Sequence, residues 1–471
     1  MWLLWGLSTA WAGGYFYSDA GIVATGRGGA FVAGADNQFA QYYNPAGLIR
    51  VTDPTVNIGL SGVQQNVSFT RQRPADPNQP DADPGFYDEV QNEASPFLVP
   101  QAGIAGPLIR DRLAFAVGFY SPFAPSADYD PDGPQRYSIK NTLIYQFAVG
   151  PSFALRVHDT LTLGLGLQWQ YLQVGESLDI VATGFPASED AGDIAVDAQV
   201  VDLFTPSANV GLLFEPVEQV AIGLSVQPPS RFQARGTGTL DFEGSSIGSL
   251  ILTETLYTDD DVALNLDLPL VLRGGVAVRP VPRLEIEAAV VYQRWSGLAD
   301  LLVEDIDITV EVDEAFEAQV PPEDREVDES IALPAGFRDT VSLRLGAEAE
   351  VVEGVLDVRA GGFWENGAVR DQDLSVALVD PSKVQIGAGA SLHLLDGRLN
   401  LDGAAAFLFF PSLEIRDSTV TQIDSGVSNP LNPNPGAPLV VGNGNLRSNG
   451  WVLGLQASWA FKRKKALGAD G

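Results

Sequence analysis

Residues 161 to 171 read Leu-Thr-Leu-Gly-Leu-Gly-Leu-Gln-Trp-Gln-Tyr, an unbroken alternation. Leu161, Leu163, Leu165, Leu167, Trp169 and Tyr171 share one parity; Thr162, Gly164, Gly166, Gln168 and Gln170 share the other. A β-strand points successive side chains to opposite faces, so this stretch has one apolar face and one small or polar face. The pattern recurs in Val341, Leu343, Leu345 and Ala347, in Leu399, Leu401, Ala405, Phe407 and Phe409, and in Trp451, Leu453, Leu455, Ala457, Trp459 and Phe461.

A soluble sandwich alternates too. Three features point instead to a membrane barrel. The polar parity carries Arg, Glu, Asp, Gln and Gly, while the apolar parity is nearly free of charge, which suits a lipid-facing exterior around a wet interior. Aromatic residues such as Trp169, Tyr171, Phe409, Trp451, Trp459 and Phe461 sit near strand ends, where interfacial girdles place them. Connections alternate short and long. The pattern predicts fourteen strands at 54–70, 98–109, 111–121, 139–157, 159–176, 202–215, 218–242, 262–280, 283–304, 338–351, 354–365, 382–395, 398–416 and 448–461. Tight turns fall near Asp111, His158, Val217, Pro282, Glu353 and Asp396; long loops fall at 71–97, 122–138, 177–201, 243–261, 305–337, 366–381 and 417–447. The expected fold is an all-β antiparallel transmembrane barrel over 51–461, with the short turns on the periplasmic side.

Composition narrows the function. The 471 residues include 60 Asp+Glu against 28 Lys+Arg, a formal net charge of −32. That balance argues against a nucleic-acid partner, which needs a basic face. With 0 Cys and 2 His, there is no disulfide scaffold and little room for a thiolate or histidine metal site. No convergent nucleophile, base or metal cluster supports an enzyme, and no cofactor is expected. Residues Glu304 to Glu329 hold 12 acidic side chains and one Arg, and further acids at Asp81, Asp83, Asp128, Asp130, Asp132, Glu189, Asp190, Asp259, Asp260 and Asp261 are expected in outward-facing loops. Asp128 to Gly133 imitates the start of a calcium loop, but its twelfth position is Ile139 rather than Glu.

Residues 2 to 12, WLLWGLSTAWA, form a short apolar run ending in Ala-Trp-Ala, as a signal peptide does, although no Lys or Arg precedes it. Residues 1–12 are therefore expected to be an export signal. Residues 13–50 do not alternate and are rich in Gly and Ala, poor strand material. Lying before the first strand, they are expected to fold into the lumen as a plug, or hatch.

Within that segment stand Gly26-Arg27-Gly28-Gly29-Ala30-Phe31, Ala35-Asp36 and Tyr42-Tyr43-Asn44-Pro45-Ala46-Gly47-Leu48. Further along come Asp111-Arg112-Leu113 with Ser121-Pro122-Phe123, Leu268-Pro269 with Gln293-Arg294-Trp295-Ser296, Asp339 to Gly346, Val358-Arg359-Ala360-Gly361, and a final strand ending Trp459-Ala460-Phe461. In this order, over nearly the whole chain, the sequence resembles the FadL/TodX family of outer-membrane fatty-acid and hydrocarbon transporters. The Asn-Pro-Ala motif is the most specific part. The resemblance implies a fourteen-stranded barrel with an N-terminal hatch in the outer membrane of a Gram-negative bacterium. It also implies passive uptake of long-chain fatty acids or hydrocarbons, bound in an apolar lumen pocket and released sideways through a kinked wall strand. Two departures stand out: residues 462–471, including Lys462-Arg463-Lys464-Lys465, follow Phe461 as a basic tail, and Ala124-Pro125 stand where the family often has glycine. Expected partners are the hydrophobic ligand, outer-membrane lipids and lipopolysaccharide, and the barrel-assembly machinery acting on the strand that ends at Phe461.

On this reading Arg27, Asp36, Asn44, Pro45 and Ala46 are hatch residues. Asn44 can bond neighbouring backbone and Pro45 fixes φ, although an Asx-Pro turn without a gating role has the same signature. Pro122, Phe123 and Pro125 mark a break in the third strand, because proline cannot donate to a ladder; an ordinary strand terminus would look alike. Arg273, Arg344 and Arg359 have inward parity and suit a carboxylate, though Glu285, Glu287, Glu348 and Asp357 share that parity and could pair with them. Phe31, Phe39, Tyr42 and Tyr43 either line a pocket or fix the hatch to the wall. The rival readings are a porin-like barrel for polar solutes, separable by bilayer conductance, and a surface adhesin or receptor using the acidic loops.

Overall fold

The computed structural model describes residues 20–75, 83–123, 126–183, 189, 192–245, 252–297, 301–304, 307–318, 325–328, 331–333, 337–428 and 439–461. The expected export signal (1–12), the start of the plug segment (13–19), Pro125 and the basic tail (462–471) lie outside them.

Fourteen strands cross the wall. They are β1 (Thr55–Arg71), β2 (Phe97–Ile109), β3 (Leu113–Phe123), β4 (Asn141–His158), β5 (Leu161–Thr183) and β6 (Asp193–Val217). Next come β7 (Val220–Gln227, continued by Ser230–Asp241), β8 (Leu256–Leu268, continued by Leu270–Val281), β9 (Leu284–Arg294, continued by Leu301–Glu304) and β10 (Ile331–Leu333, then Thr340–Val352). The last four are β11 (Leu356–Glu365), β12 (Lys383–Leu394), β13 (Leu399–Phe409) and β14 (Gly444–Ala460). Each pairs antiparallel with its sequence neighbour. The sheet closes where β1 meets β14, from Thr55 opposite Ala460 to Arg71 opposite Gly444. Closure leaves no free edge, the condition for a sheet in lipid.

The opening stretch shows how the wall is sided. Leu163, Leu165 and Leu167 are exposed on the outer face, while Gly164, Gly166 and Gln168 are buried on the inner face. From Leu161 to Tyr171 is 11 residues, close to the roughly 9–11 a tilted strand needs to cross a bilayer. At that height Phe119, Tyr145, Phe147, Trp169 and Tyr171 form a contiguous aromatic patch, with Phe147 stacked 4.8 Å from Tyr171 and edge-on 5.5 Å from Trp169. Amphipathic rings favour the bilayer interface.

Beyond Tyr171 the chemistry of the two faces inverts. Leu172 and Val174 point inward and are buried, while Gln173 is exposed outside. In β8, Leu264, Leu266 and Leu268 are inward above Pro269, whereas Leu272, Val276 and Val278 are outward below it. The expectation that apolar parity always faces lipid therefore holds only for the membrane-crossing part. Above it the strands stand in water, so the outer face is polar and the apolar residues turn to the lumen. This inversion is why β5, β6 and β8 run further out than the sequence pattern predicted, and why Asp259, Asp260 and Asp261 lie in a strand rather than a loop. Glu189 is likewise turned onto Arg71 and Tyr87 rather than simply solvated.

Candidate functional site in the lumen

Three layers fill the barrel. The lowest is the N-terminal segment, with short helices at Ile22–Gly26 and Ala40–Tyr43 and a 3-10 turn at Pro45–Arg50. It packs directly on backbone, and glycine on the inner face makes that possible. A Cβ on Gly164 would lie 2.1 Å from the Ala46 nitrogen, and one on Gly211 would lie 2.1 Å from Asn44 Oδ1. The glycines of the opening stretch thus have a structural reason beyond strand propensity: the wall is stripped where the segment leans on it.

Polar contacts complete the fit. Asn44 Nδ2 donates to the carbonyls of Val32 and Leu212, both at 3.0 Å, and its Oδ1 accepts from Ala46 N at 3.2 Å. It therefore caps the 3-10 turn that Pro45 begins and also ties the segment to β6. Glu287, with no exposed surface, accepts from the amides of Val32 (2.7 Å), Ala33 (2.9 Å) and Gly34 (2.8 Å). Arg27 reaches Glu285 at 2.8 Å, Glu287 at 3.4 Å and Glu348 at 3.5 Å. A buried carboxylate needs several donors to offset its desolvation, and Glu287 has them. Asp36 is exposed on the periplasmic side, beside Arg27, Glu285 and His393 in an open polar cavity of about 680 Å³.

Several of the residues expected to bind ligand belong to this layer. Phe31, Phe39 and Tyr43 are buried within the segment, Phe31 packing edge-on to Tyr43 at 5.5 Å. Arg344 donates to the Gly29 carbonyl at 3.3 Å and covers the Phe363 ring, so it fastens the segment. Arg359 is taken up by Glu348 at 2.9 Å.

The middle layer is a small cavity of about 20 Å³, space for roughly one water. Tyr42, Tyr120, Pro122, Gln146, Gln170, Gln227, Gln293 and Arg273 face it. Arg273 is 4 % exposed. Its guanidinium lies 4.7 Å from the Tyr42 ring centroid, and Nη2 donates to Gln227 Oε1 at 3.3 Å. Among the described residues no carboxylate pairs with it. Both amide atoms of Gln146 are buried without a partner. Pro122 sits where β3 leaves the ladder: β2–β3 pairing stops at Ala102 opposite Phe119, although Phe97–Gln101 stay paired to β1. Phe123, the last residue of β3, is opposite Gln146 across a bulge.

The outer layer is apolar. Ile144, Leu172, Val174, Val200, Phe232, Leu264, Leu266, Leu268 and Trp295 converge on it. The connection 366–381, expected outside, instead folds into the barrel mouth, burying Ala368, Val369, Leu374, Val376 and Leu378. It is held by Lys383, which meets Asp380 at 2.6 Å and Glu365 at 2.7 Å. Burial pushes the Asp380 carboxyl up to about 6 against the pull of that ammonium. Sequence reasoning placed Glu287 inward but missed its amide partners, and it missed this loop and the four glutamines, Gln146, Gln170, Gln227 and Gln293, round the middle cavity. The loop did carry a signal, the apolar run Leu374 to Val379 inside a connection.

A sequence profile described as outer membrane protein transport protein (OMPP1/FadL/TodX) matches residues 4–461. No curated protein matches the sequence. Among solved structures, a Pseudomonas aeruginosa FadL homologue superposes with a TM-score of 0.73 at 16% identity, covering 95% of this chain and 100% of its own. The P. putida toluene transporter TodX gives 0.64 at 13% identity, covering 98% and 100%. The Ralstonia pickettii toluene transporter TbuX gives 0.62 at 15% identity, covering 93% and 98%.

Proposed function

Because the chain belongs to the OMPP1/FadL/TodX family of outer-membrane transport channels for hydrophobic compounds, we propose that it takes up amphipathic hydrocarbons with an anionic head, long-chain fatty acids above all. The apolar outer layer receives the chain, since burying apolar surface stabilises it by roughly 25 cal/mol per Å². The head moves down to the middle cavity. Release is sideways, at the β2–β3 break beside Pro122, into the membrane. The N-terminal segment, through Arg27, Asn44, Pro45 and Ala46, keeps the floor shut to ions throughout, and Asp36 marks its periplasmic face.

The observation that carries this reading is Arg273. A buried cation is ordinarily paired, and among the described residues this one meets only a glutamine oxygen and a tyrosine face. A ligand carboxylate would complete it with charge-assisted hydrogen bonds. The cavity must widen to admit a head group, and the unpartnered Gln146 side chain beside it is free to turn.

The test is ligand binding to detergent-purified protein. Arg273→Gln is expected to weaken oleate about 10–100-fold, the worth of a hydrogen bond to a charged group, and to leave toluene unchanged. Equal binding of oleate by both proteins would overturn the carboxylate role. A neutral hydrocarbon is the second reading, favoured by the aliphatic and aromatic side chains that converge in the outer layer; it predicts toluene binding that ignores Arg273.

A further inference from the structure

The wall is interrupted a second time, between β6 and β7. Val210–Phe214 pair with Val226–Ile222, and Ala195–Val201 pair with Asp241–Arg235. Both ladders keep one register, since 210 + 226 and 201 + 235 give the same sum. Between them, residues 202–209 face 227–234 with no ladder bond at all. An in-register gap differs from a slipped strand or a bulge: the two strands part and rejoin without losing count.

The sequence accounts for the parting. Pro206 lies on one side, Pro228 and Pro229 on the other, and none can donate. Side chains lace the opening instead. Asp202 Oδ2 accepts from Gln233 N and from Thr205 Oγ1, both at 2.8 Å. The Arg231 carbonyl, 3.3 Å from Thr205 Oγ1, shares that single hydroxyl proton with Asp202, and the hydroxyls of Ser207 and Ser230 meet at 3.2 Å. Breaking side-chain contacts leaves both strands held by their other neighbours. Leu203 and Phe204 are 68% and 69% exposed on the outer surface. On the inner side Gln227 borders the middle cavity next to Arg273, and Phe232 belongs to the apolar layer above. The gap begins at Asn209, opposite Gly166 of β5, so its lower half lies within the membrane-crossing part and its upper half at the aromatic patch of Trp169 and Tyr171.

We propose that this laced seam is a second lateral portal, through which an apolar ligand passes between the lumen and the membrane independently of the β2–β3 break. The proposal rests on the lateral-release reading above. The ligand slides its chain past Pro228–Pro229, which face Ala208 and Ser207 and present no backbone donor, below the exposed Leu203 and Phe204.

The chain has 0 Cys, so paired cysteines report without background. Ser207→Cys/Ser230→Cys closes this seam on oxidation; Gln101→Cys/Tyr120→Cys closes the other. The measurement is transfer of oleate from donor vesicles into proteoliposomes, oxidised against reduced, with cross-linking verified by mass spectrometry. Closing the β6–β7 seam is expected to cut the rate to about half, as when one of two comparable gates shuts, and reductant restores it. A cross-linked protein at full rate, while the β2–β3 lock alone stops transfer, overturns the second portal. Full rate with both seams locked overturns lateral release itself, a distinguishable failure. Asp202→Ala/Thr205→Ala, which unlaces the seam without a cross-link, is expected to speed transfer; an unchanged rate with a folded barrel counts against the portal.

Discussion

Below the aromatic patch at Tyr171 the lumen is occupied by a segment held by ion pairs, by amide hydrogen bonds to the buried Glu287 carboxylate and by backbone laid on glycine. Above it the lumen is filled largely by aliphatic and aromatic side chains, with a surface loop folded in. The same strands build both parts, with the same alternation, and only the assignment of apolar residues to inside or outside changes. What differs is the medium around the wall. In lipid, the outer face must be apolar, and the lumen receives what remains: small and polar residues that suit a rigid, directional seal. In water, the outer face is polar and the lumen becomes apolar, deformable and suited to an unspecific hydrocarbon.

The largest effect that would sharpen this contrast comes from Glu287→Ala. It leaves three buried amides of the floor without an acceptor, each at roughly 1–3 kcal/mol, and Arg27 with one carboxylate fewer. Planar-bilayer recordings are expected to change from near silence to lasting current, with hydrocarbon affinity unaltered. The converse variant, Leu374→Ala, removes a fully buried side chain of the loop at about 2–5 kcal/mol. Toluene and oleate should both bind more weakly while the bilayer stays silent; current in this variant would break the division between seal and receptacle. Gly164→Ala forces a Cβ onto the Ala46 backbone, an overpacking of about 1–3 kcal/mol. A lower unfolding temperature and flickering current are expected, and unchanged recordings would show that the floor yields more readily than its contacts imply. The smallest effect belongs to Asn44→Ala. It frees the Val32 and Leu212 carbonyls and uncaps one 3-10 turn for about 1–2 kcal/mol, expected as brief openings only, because Glu287 and Arg344 still hold the segment.

The wall was largely legible in the sequence. A period of two needs no tertiary information where one face meets lipid, so the strands and their short turns could be placed from residues such as Leu161–Tyr171 alone. The upper extensions were less legible because the apolar parity of β5 slips by one at Tyr171-Leu172, so that Leu172 and Val174 fall on the lumen side while the strand runs straight on. Phe31, Phe39 and Tyr43 read equally as pocket or packing, and composition has no term that separates the two. Arg273 and Arg359 have the same parity and the same side chain. Only the positions of Glu348 and Gln227, on different strands, make one a partnered cation and the other not. Glu287 was readable as an inward acid, but its three amide partners lie some 255 residues away in the chain.

Chain order gives the seal a further meaning. The plug is synthesised before every strand that surrounds it, and β1, directly after it, is also the strand that meets β14 to complete the cylinder. Its backbone rests on inner-face glycines of strands from β5 to β12, such as Gly164, Gly211, Gly361 and Gly387. Those strands are spread round the barrel, so the full set of contacts to this guest exists only once the cylinder has formed. The β1–β14 ladder that closes it joins residues some 400 positions apart, the kind of contact that makes folding slow. Seating the segment and closing the wall are therefore linked, and a variant that loosens the guest should also close its cylinder more slowly, beside the currents expected above.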